Sequence, residues 1–238
     1  MNIHLDSQHL GPFCFGAFLL LFIVLLIIAL SASSKRKQQV KTFIQKFNFT
    51  PLGTPPPDLM EAINTAYSPS RVTRLKNVYQ HFYGDEQIYL LDIYSRSGSY
   101  GRNDEMVEST SLACFSPHLD LPKFFLYYRT QAPERVSGWI DSVVEKMVAQ
   151  SMLKTFQDVP PEFDTRYALY VADEEIAART FTPERLTQIA AMDGIYARGQ
   201  GKLLYMTNQT VRQGGKLDSD GFSLYIDTAR RLCDLLAA

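Results

Sequence analysis

Only three cysteines, Cys14, Cys114 and Cys233, occur in 238 residues, and no two of them form a CxxC pair. Cysteines this few and this far apart exclude a disulfide-built secreted scaffold and fit a reducing compartment; they leave one intradomain pair that nothing in the sequence demands. Histidine is almost as scarce, with four residues. His81 and His118 fall in the part expected to fold, and without HExxH or CxxC spacing they do not make the converging ligand set of a zinc site. A phosphate loop is missing too. In "GIYARGQGKL" the stretch between Gly194 and Gly201 is longer than the G-x-x-x-x-G-K-[ST] spacing, and Leu203 stands where a magnesium-binding hydroxyl belongs, so a hairpin turn is expected. Ser99 in "SGSYG" lacks the first glycine of a nucleophile elbow. "CFSPH" puts Pro117 between Cys114 and His118 at the end of an apolar stretch, which makes Cys114 a small buried hydrophobe. "DSDG" at 218–221 lacks the further ligands of a calcium loop and reads as a helix cap. No catalytic residue, metal site or cofactor is therefore expected.

The charges nearly cancel, with 24 Lys and Arg against 25 Asp and Glu, but they are unevenly placed. Residues 1–57 hold five bases, Lys35, Arg36, Lys37, Lys41 and Lys46, and one acid, Asp6. The remainder therefore stands at about −5. It lacks the basic surplus of a phosphate-backbone binder, and nucleic acid is not expected as a partner.

What the chain does have is one long apolar run. Residues 13–30 carry no charge, and 14 of these 18 are Leu, Ile, Val or Phe. As a helix rising about 1.5 Å per residue they span roughly 27 Å, close to a bilayer core of about 30 Å. Pro12 suits the first turn. "ALSAS" offers small residues that a signal peptidase accepts. Against cleavage, no Lys or Arg precedes the run, the run is longer than an ordinary signal core, and the bases follow it. A retained transmembrane helix is expected. Bases after the span and none before it predict a short extracytoplasmic segment at 1–12 and a C-terminal domain on the cytoplasmic face of a bacterial inner membrane.

In "KRKQQVKTFIQKFNF", Val40, Phe43, Ile44 and Phe47 follow helical spacing, with lysines on the other face. This segment either lies on anionic headgroups through Lys35, Arg36, Lys37, Lys41 and Lys46, or docks its apolar stripe on the domain. "TPLGTPPP" ends it as a stiff linker. Residues 31–57 thus form a juxtamembrane segment and linker, and 58–238 a single soluble domain large enough for one core.

Within that domain Asp58 and Glu61 have the spacing of a capping box ahead of a short helix. "RLKNVYQHFY" and "QIYLLDIYSR", separated by Gly84, Asp85 and Glu86, predict a hairpin, with "EMVESTSLACF" and "LPKFFLYYR" as further strands. Val136, Ile140, Val143, Met147 and Met152 predict an amphipathic helix over 133–152. "DTRYALYV" reads as a strand, "TPERLTQIAAM" as a helix capped by Thr182, and "GIYARGQGKLLYMT" as two strands. A long helix over 220–238 buries Phe222, Ile226, Ala229, Cys233 and Leu236. Strands in succession with short turns predict an α+β fold: a mostly antiparallel sheet, packed helices and a long C-terminal helix behind the N-terminal transmembrane helix.

The order of "RLKNVYQHFYGDEQIYLLDIYS", "LDLPKFFLYYR", "EFDTRYALYVADEEIAARTFTPERL" and "GIYARGQGKLLYMT" resembles a family of single-span, membrane-anchored bacterial proteins with no assigned function. The resemblance covers about 74–238 and implies the anchor and the architecture. It brings no catalytic residue with it.

One polar residue stands out. Asp92 shares a strand face with Ile88, Leu90 and Tyr94 inside the apolar "IYLLDIY". A carboxylate there must be paired or sit at an exposed edge. A structural ion pair with a neighbouring Arg or Lys is expected, with a ligand or acid–base role as the alternative. The function expected from these features is a non-catalytic interaction module that meets the lipid bilayer and a protein partner. A lipid-sensing module is the first alternative and a membrane-tethered hydrolase the second.

Overall fold

A computed structural model describes residues 41–42, 44–67, 71–96, 105–129, 144, 148, 151–192, 194–208 and 219–237. Every element named below belongs to the compact unit Lys46–Ala238. In chain order these are β1 (Thr50–Pro51), α1 (Pro57–Tyr67), β2 (Arg71–Tyr83), β3 (Glu86–Arg96), β4 (Glu105–Phe115), β5 (Leu121–Tyr128) and β6 (Lys154–Thr155). They are followed by α2 (Pro161–Asp164), β7 (Tyr167–Val171), α3 (Glu174–Thr180), α4 (Pro183–Ala190), β8 (Ile195–Gly201), β9 (Leu203–Asn208) and α5 (Ser219–Ala237). The fold is α+β, as expected.

The strands form one nine-stranded sheet in the order β1-β2-β3-β4-β9-β8-β5-β7-β6. Every adjacent pair is antiparallel. The two hairpins turn at Gly84 and Gly201, both with the positive φ that glycine adopts without strain. Thr50 and Pro51 pair with Gln80 and Tyr79, so the chain joins the sheet edge before α1 begins. Proline suits that edge because it has no N–H to offer the ladder.

Because side chains alternate along a strand, each face has its own core. Tyr89, Leu91 and Ile93 of β3, with Ala113, Leu203 and Tyr205, pack against Leu59, Ile63 and Ala66 of α1. On the same side, Val144 and Val148, both helical and buried, join Phe125, Tyr127, Tyr170 and Tyr196. Ser151 and Met152 correct the helix expected over 133–152: they form a turn, and Met152 stands exposed at a positive φ of 56° instead of on the buried stripe. The remaining residues of that helix lie outside the described ones. On the opposite face Phe124 meets the Phe181 ring edge-on at 4.9 Å between centroids. Thr182 caps α4 as its spacing predicts, its side chain accepting from the Arg185 backbone N–H. No helix among the described residues is long and apolar enough to cross a membrane. The run at 13–30 lies outside them.

A candidate functional site beneath the terminal helix

Alternation along three neighbouring strands assembles an apolar floor. Ile88 of β3 pairs with Cys114 of β4, Cys114 with Leu204 of β9, and Leu112 with Met206, so all five side chains share one face. Across this floor runs α5, whose Phe222, Ile226, Ala229, Cys233 and Leu236 are buried at helical spacing. The Tyr225 hydroxyl ties the helix down by donating to the Met206 carbonyl at 2.8 Å. Between floor and helix lies a narrow cleft, bounded by Ala229 and Arg230 on the helical side. Its present space is about 10 Å³, room for a single water. Arg230 is its one charged lining residue, and its guanidinium carbon sits 3.6 Å from the centre of the Tyr83 ring at the tip of the β2–β3 hairpin.

At Cys114, which lines the cleft, the two cysteines meet. Cys114 Sγ and Cys233 Sγ are 3.0 Å apart and both residues are buried. The Cys233 thiol also points at Glu86 Oε1, 3.9 Å away. Contact with Cys114 and burial push the Cys233 thiol well above its ordinary pKa, and the Glu86 and Asp234 carboxylates add to the rise. Glu86, Cys114 and Cys233 place one ligand-type atom each within 4.8 Å of one another. The sequence reading foresaw Cys114 as a buried small residue, but not its contact with Cys233.

Asp92, singled out in the sequence, lies elsewhere. It is buried where β3 slips register against β4, between Leu91 and Ile93. Its Oδ2 accepts from the Asn77 side-chain amide at 2.7 Å and its Oδ1 from the Thr110 backbone N–H at 2.8 Å. Both donors are neutral. Asn77 and Thr110 each have a positive φ, at 49° and 59°, so the carboxylate ties together two irregular strand positions. His118, four residues after Cys114, pairs with Asp85 at 2.9 Å on the surface. Lys41 and Lys46 are exposed in helical turns. Lys35, Arg36 and Lys37 lie outside the described residues.

No family model matches the chain, and no curated protein does. Among solved structures it is similar to the mycobacterial trehalose monomycolate transport factor A, TtfA, with a TM-score of 0.52 and 13% identity. The likeness covers 84% of this chain and 93% of that one. At that identity what the two share is the fold.

Proposed function

We propose that this protein is a membrane-tethered, non-catalytic module that takes up an acyl chain beneath α5. The observation that carries the reading is the cleft itself: an apolar floor from three strands, an amphipathic helix laid over it, and one cation, Arg230, among the lining residues. Arg230 lines the cleft with its aliphatic stem while its guanidinium lies on the Tyr83 ring, so the walls are apolar throughout and suit a fatty chain. The present space is far smaller than such a chain, so uptake requires α5 to lift from the sheet. The fold likeness to a protein named as a trehalose monomycolate transport factor fits a lipid-related role. The run at 13–30 as anchor, with the domain on the cytoplasmic face, rests on its length and on the bases that follow it. The resemblance to the anchored bacterial family agrees with this.

A second reading is carried by a different feature. Phe82 and Tyr83, at the hairpin tip, are 60% and 48% exposed, an aromatic pair of the kind that anchors protein interfaces. The two readings separate when the full chain is extracted in gentle detergent and weighed intact. Bound lipid in the native chain, lost in Ala229→Leu, which takes up the space of the cleft, is the expected result. A co-purifying protein lost in Phe82→Ala, with no lipid, would favour the second reading, and a bare monomer would overturn both.

A further inference from the structure

We propose that Cys114 and Cys233 are a site of reversible disulfide formation that fastens α5 to the sheet. The pairing is independent of what the cleft binds. Three observations carry it. The sulfurs are already 3.0 Å apart, so they need to approach by only about 1 Å to reach the bond length of about 2.05 Å. The residues belong to different elements, β4 and α5, 119 positions apart, so the bond would join the last helix to the centre of the sheet. Both cysteines are free thiols and both are buried, so each has the other as its sulfur neighbour.

A metal fits the same cluster less well. Two thiolates on one tetrahedral zinc, with bonds of about 2.3 Å, stand roughly 3.7 Å apart, farther than these two sulfurs. With Glu86 the described residues also supply three ligands, where structural zinc takes about four.

The oxidant is a low-molecular-weight disulfide of the glutathione class. In the docked state both thiols are buried and Cys233 is held protonated, so reaction begins when the last turn of α5 opens. The freed Cys233 thiolate, its proton lost to solvent, attacks one sulfur of the oxidant. The oxidant's S–S bond breaks, one thiolate leaves, and a mixed disulfide remains. As α5 returns, the Cys114 thiolate attacks the Cys233 sulfur, its own proton also passing to solvent, and the second thiolate is expelled. Two protein thiols are oxidised and one small disulfide is reduced to two thiols.

The test uses the full chain in detergent, both native and as Cys14→Ser, incubated with oxidised glutathione and mapped by mass spectrometry without reduction. Expected are a loss of about 2 Da, a linked pair of peptides containing Cys114 and Cys233, reversal by dithiothreitol, and at least tenfold slower amide exchange in the last turns of α5. A chain that keeps both thiols open to alkylation after denaturation, or that stops at a glutathione adduct, would overturn the proposal. So would one equivalent of zinc protecting both thiols in the reduced chain, since that assigns the cluster to a metal.

Discussion

Asp92 shows what a single side chain can be made to hold. Its two oxygens receive an amide from Asn77 and a backbone N–H from Thr110, and both of those residues sit at left-handed backbone positions. Removing the acceptor leaves a buried N–H without this partner as well as two kinked strands without their tie, and an unmade buried hydrogen bond costs about 1–3 kcal/mol. Asp92→Ala is therefore expected to lower stability by about 2–4 kcal/mol in urea unfolding, counting both lost bonds. Asp92→Asn keeps one acceptor oxygen and should lose less. Equal stability of Asp92→Ala and the native chain would remove the structural role and return Asp92 to a ligand or acid–base role. The unusual place of this carboxylate was legible in the sequence, since a charge inside "IYLLDIY" must be held by something. Its partners were not, because register slips at Asn77 and Thr110 leave no mark in the alternation of apolar residues.

At the scale of elements, the strand pattern and the amphipathic terminal helix could be read directly, because a period of two or of 3.6 is written along the chain. The order of the strands could not. Nothing local places β9 between β4 and β8, and with that order unknown the floor of Ile88, Leu112, Cys114, Leu204 and Met206 does not exist as a surface. Close packing between β5 and β8 is equally invisible in one dimension. A methyl group on Gly199 would run into the Phe124 ring and lie 2.8 Å from Leu121, and Phe124 is buried against Phe181 with little room to retreat. Gly199→Ala is expected to cost about 1–3 kcal/mol by overpacking. The control is Gly53→Ala, where nothing lies within 4 Å and the change should stay within about 0.5 kcal/mol. Urea midpoints of the two variants check the contrast, and equal midpoints would mean that the β5–β8 interface yields more readily than a packed core does.

At the scale of the whole molecule, the two ends of the chain bear on one another through compartment. The bases at Lys35, Arg36 and Lys37 after the run at 13–30 favour a cytoplasmic domain, and the cytoplasm keeps thiols reduced. Closing a loop as long as that between Cys114 and Cys233 stabilises a fold by about 4–5 kcal/mol in the chain-entropy account. A cross-link would therefore hold α5 down far more firmly than the buried thiols do, and would oppose the lifting that acyl uptake requires. If the proposed cross-link forms, the cleft would rest in its openable form in a reducing compartment and be shut by oxidative stress, and in an oxidising compartment it would stay shut. A cytosol-dependent fluorescent reporter at the C-terminus, combined with acid quenching of the cells and alkylation of thiols under denaturing conditions, reads both properties at once. The expected outcome is a fluorescent reporter with Cys114 and Cys233 alkylated at rest, and a linked pair only after a thiol oxidant is added. A dark reporter with the pair already linked at rest would overturn the orientation while leaving the cross-link intact. Moving the three bases ahead of residue 13 should convert the first pattern into the second, because the same charges that set the orientation would then set the redox state of the distant Cys114–Cys233 bond.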